Sequence, residues 1–366
     1  MLAAMPAYLA AQTSRSRTKT KQLPSVGEFV RFTDPTTETF VVRLTSLKSA
    51  SFLPAAANRF VSLKERNLFF SSDRSGPLSP FQVDLRTGAI RQVANCSRLS
   101  PESLCLDSKE RWLYFLDAGR LLRADTGKKE LKRPTPEILA DEIEAFSLAP
   151  SGALFVIRVS GALQRLDDAG NGAAATLATI GAGKKTCLAQ PGSGTGKGCL
   201  FTREISPAER EFWYASAASS KPKLLAKGSI SAPFWSPDGQ SLLFLRDISK
   251  PNVTLAEIHE VALDGTGEHC VAPTSQFATF APNFDGSVFV GASRSKAQPN
   301  VVLLLRSAKR ELTLCQHHAT LPAAVSPAFS PDARRVYFQS DEEGKPAIYS
   351  VNVELLVEPA SDNGQA

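Results

Sequence analysis

A unit of about 44 residues is written seven times along this chain of 366, and no other feature of the sequence narrows its fold so far. The clearest copies are Phe234 to Leu245 (FWSPDGQSLLFL) and Phe329 to Ser340 (FSPDARRVYFQS), the second followed by Gly344 to Tyr349 (GKPAIY). Both read as strand, S-P-D turn, apolar strand, turn, apolar strand. Weaker copies begin near Ser62, Leu106, Leu148, Gln190 and Asn283. With Trp235 and Phe329 included, successive intervals are 44, 42, 42, 45, 48 and 46 residues. Blades of four short strands repeat at about 40 to 50 residues. Seven starts therefore predict an all-β fold, a seven-bladed β-propeller.

The strands within the copies agree. Leu68 to Phe70, Trp112 to Leu116, Ala153 to Ile157, Leu242 to Leu245, Val288 to Val290 and Val336 to Phe338 are short aromatic and branched runs bounded by turn formers. No long segment keeps a 3.6-residue apolar period, so almost no helix is expected. Most copies end in a fourth strand, as at Ala89 to Val93, Ala175 to Thr179, Lys223 to Ala226, His269 to Ala272 and Leu312 to Cys315. The last copy has none after Val353, and the N-terminal segment has one to spare in Thr39 to Thr45. Pairing the two would close the ring and remove an exposed edge. The expected organisation is a disordered leader over 1–25, one propeller over 26–356 and a disordered tail over 357–366.

Charge and cysteine usage set broad limits. The net charge is +6, part of it in Arg15, Arg17, Lys19 and Lys21, which weakly favours anionic partners. Basic and aromatic residues are not interleaved, so no nucleic-acid groove is expected. No run of about 18 apolar residues exists, so no membrane span is expected. The basic cluster follows the apolar start instead of preceding it, the reverse of an export signal. None of the six cysteines forms a C-x-x-C pair. Free thiols fit a reducing, cytoplasmic setting, with a periplasmic one as the alternative. A monomer is expected.

The repeat pattern is that of TolB-like (PD40) propellers, and the chain most resembles the oligogalacturonate lyases over about residues 26–356. The stretches that carry the resemblance are Asn283 to Gly291 (NFDGSVFVG), Gly344 to Tyr349 and the Phe234-Trp235 pair before Pro237. The resemblance implies β-elimination on short pectin fragments. The acidic proton sits on C5 of a uronate, beside a carboxylate whose charge must be neutralised while a base takes the proton. It implies a manganese ion held by three histidines and a glutamine near the propeller axis, with a further histidine as base. Carried onto this sequence, the base position falls at Ala232 and the ligand positions at Thr279, Leu321, Ala324 and Ser326. None is an imidazole, so no metal site is expected, and Mn²⁺ only if the family activity is retained. The residues leave open whether the chain is an enzyme; a lyase, if active, would be an impaired one.

The chain holds four histidines. His317 and His318 are adjacent and would point to opposite faces of a strand, and His259 and His269 lie in or beside an insertion expected at about Ile248 to Glu260. All four read as structural or surface residues. Pro191 to Gly198 and Gly181 to Thr186 look like phosphate loops but lack the required G-x-x-x-x-G-K-[ST] order. No G-x-S-x-G or H-E-x-x-H motif occurs. The acid pairs Asp167-Asp168 and Glu342-Glu343 read as turn residues.

An enzyme with a relocated site is a third possibility that no specific residues support, and two functions are carried forward. One is binding of an acidic, uronic-acid oligosaccharide at a channel mouth. Asn58 and Arg59, with Arg74, Arg158, Arg203, Arg246 and Arg294 near the ends of apolar strands, are the candidate carboxylate clamps, though arginine also ends strands simply to solvate loops. The other is a non-catalytic scaffold for an unidentified protein partner, docking through the insertion near 248–260 and the glycine-rich loop at 191–198.

Overall fold

Each repeat is organised by a side-chain-locked turn. In the computed structural model, which describes residues 27–127, 135–166, 174–191, 198–219, 221–248, 255–274 and 276–357, Ser236 Oγ accepts from Ser241 N (2.9 Å) and donates to Asp238 Oδ1 (2.6 Å). Asp238 Oδ1 in turn accepts from Gln240 N at 3.0 Å. The fourth turn residue must adopt a left-handed backbone, and Gly239 does so at φ +68°. Ser330 and Asp332 rebuild the same turn with Ala333 at φ +58°, and blades 1 and 2 place Glu65 (+47°) and Glu110 (+60°) there.

Seven antiparallel sheets follow in order. Blade 1 is Ser51–Phe52, Asn67–Ser72, Ser79–Asp84 and Ile90–Gln92. Blade 2 is Cys105–Leu106, Trp112–Asp117, Arg120–Asp125 and Glu137–Ala140. Blade 3 is Ile143–Leu148, Leu154–Arg158, Ala162–Leu166 and Ala174–Thr179. Blade 4 is Lys185–Ala189, Gly198–Ser206, Glu209–Ser216 and Lys223–Gly228. Blade 5 is Ile230–Trp235, Ser241–Asp247, Ala256–Ala262 and His269–Thr274. Blade 6 is Phe277–Pro282, Val288–Ser293, Asn300–Leu305 and Arg310–Gln316. Blade 7 takes Ala328–Phe329, Arg335–Ser340 and Ala347–Asn352 from the C-terminal part of the chain. The chain is an all-β, seven-bladed propeller.

The closing strand is Phe40–Arg43. It pairs antiparallel with the last strand in the register Val41 to Val351, Val42 to Ser350 and Arg43 to Tyr349. Arg43 Nη1 also meets Glu343 Oε1 at 2.8 Å, which gives one of the supposed turn acids a structural role. The N-terminal contribution is larger than expected. Val30–Thr33 adds a fifth strand outside Phe40–Arg43. The turn between them is tied to blade 6 by Thr37 Oγ1 donating to Leu314 O (2.8 Å) and Gln316 N donating to Asp34 Oδ2 (2.9 Å).

Second strands are buried on both faces because each blade is sandwiched between two neighbours. Alternate residues of one strand therefore enter different cores. Leu242 and Phe244 pack with Leu200 and Phe212 of blade 4, whereas Leu243 and Leu245 pack with Phe277 and Phe289 of blade 6. Each of the seven apolar clusters joins one neighbouring pair of blades. The ring thus shares its core around the full circle, including across the seam between blades 7 and 1.

Several expectations need correction. Part of the supposed insertion at 248–260 is regular structure, because residues 256–260 belong to the third strand of blade 5, Ala256–Ala262, while 249–254 lie outside the described residues. His317 and His318 follow a strand that ends at Gln316, so strand alternation does not apply to them. His317 is buried: its Nε2 lies 2.9 Å from Ser293 O and its Nδ1 accepts from Ala319 N at 3.0 Å. Burial pushes its pKa down, and the ring serves as a structural tie. The leader at 1–25, the tail beyond Val357, the glycine-rich loop at 192–197 and the Asp167-Asp168 pair lie outside the described residues. Among the described residues no helix is long and apolar enough to cross a membrane. Five of the free cysteines are buried, and Cys270 is exposed.

Candidate functional site

The ring has two rims. At the upper rim second strands turn into third strands, and first strands begin. At the lower rim the S-P-D turns link first strands to second.

The five positions implied by the lyase resemblance lie on neighbouring elements near the upper rim. Ala232 is on the first strand of blade 5, at a bulge where its φ is +49°. Thr279 is on the first strand of blade 6, just past a register shift. Leu321, Ala324 and Ser326 surround the 3-10 turn Pro322–Ala324, which packs on the first two strands of blade 6. Ser326 has φ +46°. Two of the five positions therefore hold strained non-glycine backbone, a feature often kept at functional sites. Their side chains offer no imidazole, amide or carboxylate. The nearby amide of Gln339 is spent as a cross-link, donating to Ala324 O and accepting from Leu53 N, both at 2.6 Å. This donor set does not fit a manganese ion.

The candidate arginines recur at matching register but do not converge. Arg158, Arg203 and Arg246 lie at or near the ends of second strands, opposite Ile143, Lys185 and Ile230 at the upper rim. Arg294 and Arg74 follow the same strand ends in blades 6 and 1. Each guanidinium is held by its own partner. Arg74 meets Glu28 Oε1 at 3.0 Å, with its guanidinium over the Phe70 and Phe81 rings. Arg158 donates to Gln164 Oε1 (2.7 Å) and Asp141 O (3.0 Å). Arg203 meets Glu211 at 2.6 Å and Arg246 meets Glu268 at 2.5 Å. Arg294 donates to Phe277 O at 2.6 Å. Arg59 faces the lower rim, held by Glu110 Oε1 at 2.5 Å and Ser108 O at 3.3 Å. Asn58 ties the first-strand segments of blades 1 and 2 together through Glu102 O and Leu104 O.

Sequence reasoning missed two charged groups. The first is on the upper rim. A cavity of about 280 Å³ between blades 2 and 3 is lined by Arg98, Ser100, Gly119, Ile143 and Glu144. Glu144 Oε2 holds the buried Lys185 Nζ at 2.9 Å, while Arg98 is exposed. Lys185 belongs to the Gly181 to Thr186 stretch, and its partner Glu144 lies 41 residues away in the chain, on the neighbouring blade.

The second is Glu65, at the lower rim on the seam between blades 1 and 7. Burial pushes its carboxyl up from 4.5 to about 7, and a proton shared with Asp332 adds to this, against the pull of Arg335. The only visible sign was an acid in the glycine position of a turn. The folded protein favours the neutral acid, so its stabilising effect is complete below pH 4.5 and lost as pH rises to about 7. Glu65→Gln, which keeps the neutral shape, is expected to flatten this dependence and to exceed wild type at pH 8 by about 1–2 kcal/mol, a figure reduced for water screening. Urea denaturation of both proteins between pH 4.5 and 8 checks it; parallel curves would contradict it.

No protein-family model matches the sequence. An oligogalacturonide lyase of Pectobacterium atrosepticum is 25% identical over 147 residues, covering 34% of this chain and 37% of that protein. The match thus spans little over a third of the relative's length. Two solved structures share the fold over nearly the whole chain. An oligogalacturonate lyase from Vibrio parahaemolyticus has a TM-score of 0.76 at 19% identity, covering 92% of this chain and 99% of its own. An oligogalacturonate lyase in complex with manganese has a TM-score of 0.76 at 18% identity, covering 91% and 98%. The resemblance read from the repeats is therefore one of fold.

Proposed function

We propose that this protein binds short acidic oligosaccharides of the uronate type at the upper rim and does not perform manganese-dependent β-elimination on them. One observation carries the reading: the five positions where the resemblance implies metal ligands and base lie on adjoining elements yet hold Ala232, Thr279, Leu321, Ala324 and Ser326. The likeness to the lyases supports a sugar as ligand. Arg98 supplies an exposed positive charge on the same rim, suited to a carboxylate, while the charge of Lys185 is already met by Glu144. Proton abstraction from C5 has no placed base there, so binding without turnover is the consistent outcome.

Calorimetry with di- and trigalacturonate is expected to register binding. Arg98→Ala is expected to weaken it about tenfold, the worth of one charge-assisted hydrogen bond. Arg59→Ala, at the lower rim, is expected to leave it unchanged. Incubation with Mn²⁺ should yield no unsaturated uronide absorbance. Absence of heat with either sugar removes the binding reading, and appearance of product removes the loss of catalysis.

A second reading, docking of a protein at the lower rim, is favoured by Leu63 and Phe284. They stand 60% and 67% exposed at the tips of the first turns of blades 1 and 6. A co-purifying partner lost on Leu63→Ser and Phe284→Ser together would support it; unchanged recovery would not.

A further inference from the structure

Blade 5 carries a group of side chains on its outer strands that the sugar-binding reading does not use. Glu257 and His259 lie two apart on the strand Ala256–Ala262 and so share a face. Across the sheet, His259 is paired with Cys270 on His269–Thr274. The carboxylate, imidazole and thiol ligand atoms all lie within 4.8 Å of one another. We propose that Glu257, His259 and Cys270 form a binding site for a thiophilic divalent cation of the zinc class, with a fourth position open to water or a small ligand.

The chemistry of the donors selects the ion. One thiolate sulfur, one imidazole nitrogen and one carboxylate oxygen are ligands that zinc accepts, whereas magnesium, calcium and manganese favour oxygen. Three protein ligands with a fourth position free is the arrangement of an open zinc site. A thiolate and a carboxylate also balance the charge of a divalent ion, and binding would release the thiol proton to solvent.

The surroundings of His259 suit a metal ligand. Its Nε2 lies 3.0 Å from Glu257 Oε2 and its Nδ1 lies 3.0 Å from Glu268 Oε1. A neutral imidazole has one N–H and can satisfy only one of these carboxylates. A cation at Nε2 resolves the other contact and leaves Nδ1–H for Glu268. Glu268 is itself braced by Arg246 Nε at 2.6 Å, the carboxylate-to-histidine support that orients metal ligands. The ring rests near Phe244, 5.9 Å between centroids, which limits its rotation. Zinc ligands sit about 3.3–3.6 Å apart in a tetrahedral site, from bond lengths of roughly 2.0–2.3 Å. Cys270, which is exposed, is the ligand that would turn to close the spacing from within 4.8 Å.

The test uses the full chain, stripped of metal with a chelator. Zn²⁺ titrated against a chromophoric competitor is expected to bind one ion per chain. Cys270→Ser and His259→Gln should each weaken it at least about tenfold, and Glu268→Gln, a positioning change, by about tenfold. Co²⁺ in place of Zn²⁺ should produce a thiolate charge-transfer band that Cys270→Ser removes. Thermal melts establish that the variants fold. Substoichiometric Zn²⁺ binding, or binding unchanged in both ligand variants, overturns the proposal.

Discussion

Val41→Asp is expected to destabilise the protein by about 4 kcal/mol or more, and to do so by opening the ring. Val41 is 2% exposed and lies in the apolar cluster that joins blades 6 and 7, with Leu314, Val336 and Val351. Its strand is hydrogen-bonded on both sides, to Val351 inward and to Phe32 outward. A carboxylate there would be desolvated with no cation provided for it, a loss of roughly 3–5 kcal/mol before the lost valine methyls are counted. Domains of this kind are stable by about 5–15 kcal/mol in all, so the change removes a large share. Arg31→Asp, an exposed change on the adjoining outer strand, is expected to shift stability by less than about 0.5 kcal/mol. Chemical denaturation of the three proteins reads both effects. A Val41→Asp shift below about 1 kcal/mol would mean that the N-terminal hairpin does not close the core.

The legibility of that hairpin marks where sequence reading succeeds in this molecule. The closing strand was visible because one copy of the repeat lacked a fourth strand and a spare β-rich segment stood at the other end. Both facts are countable along the chain. Val30–Thr33 was not visible, since four residues with two polar side chains carry little strand signal and owe their pairing to the strand beside them. The upper rim divides in the same way. The recurrence of arginine near the ends of second strands could be read, because register repeats with the period. The partners could not: Glu28 lies 46 residues from Arg74, and Glu268 lies 22 from Arg246. Those pairings depend on how strands and blades sit side by side. The blade 5 trio shows a further reason. Glu257 and His259 can be read as neighbours on a strand face, but Cys270 joins them only through a register shift between Ile258 and His259. A bulge of this sort moves a side chain from one face to the other and leaves no mark in apolar patterning.

Gly291→Ala is expected to cost about 3 kcal/mol, although it adds one methyl group to a regular strand. Gly291 pairs with Phe280 and Val302 in the second strand of blade 6. A Cβ at that position would overlap the ring of Phe277, which is fully buried and packed with Leu243, Leu245 and Phe289. The ring has no solvent to retreat into, so either it or the strand must shift, and overpacking of that kind costs about 1–3 kcal/mol or somewhat more. The mechanism makes a second demand. Phe277→Leu alone should cost about 1–2 kcal/mol through the space it leaves, but in the Gly291→Ala background it should recover part of the loss. The double variant is then expected to be more stable than the sum of the singles by at least about 1 kcal/mol. Additivity in that cycle would refute the clash. The outcome also bears on the NFDGSVFVG stretch, which supplied some of the strongest resemblance to the lyases. If its glycine is required because an aromatic ring occupies the side-chain position, that stretch reports how blades 5 and 6 pack. Its match to the lyases is then evidence of shared fold, and evidence for a sugar ligand has to come from the upper rim.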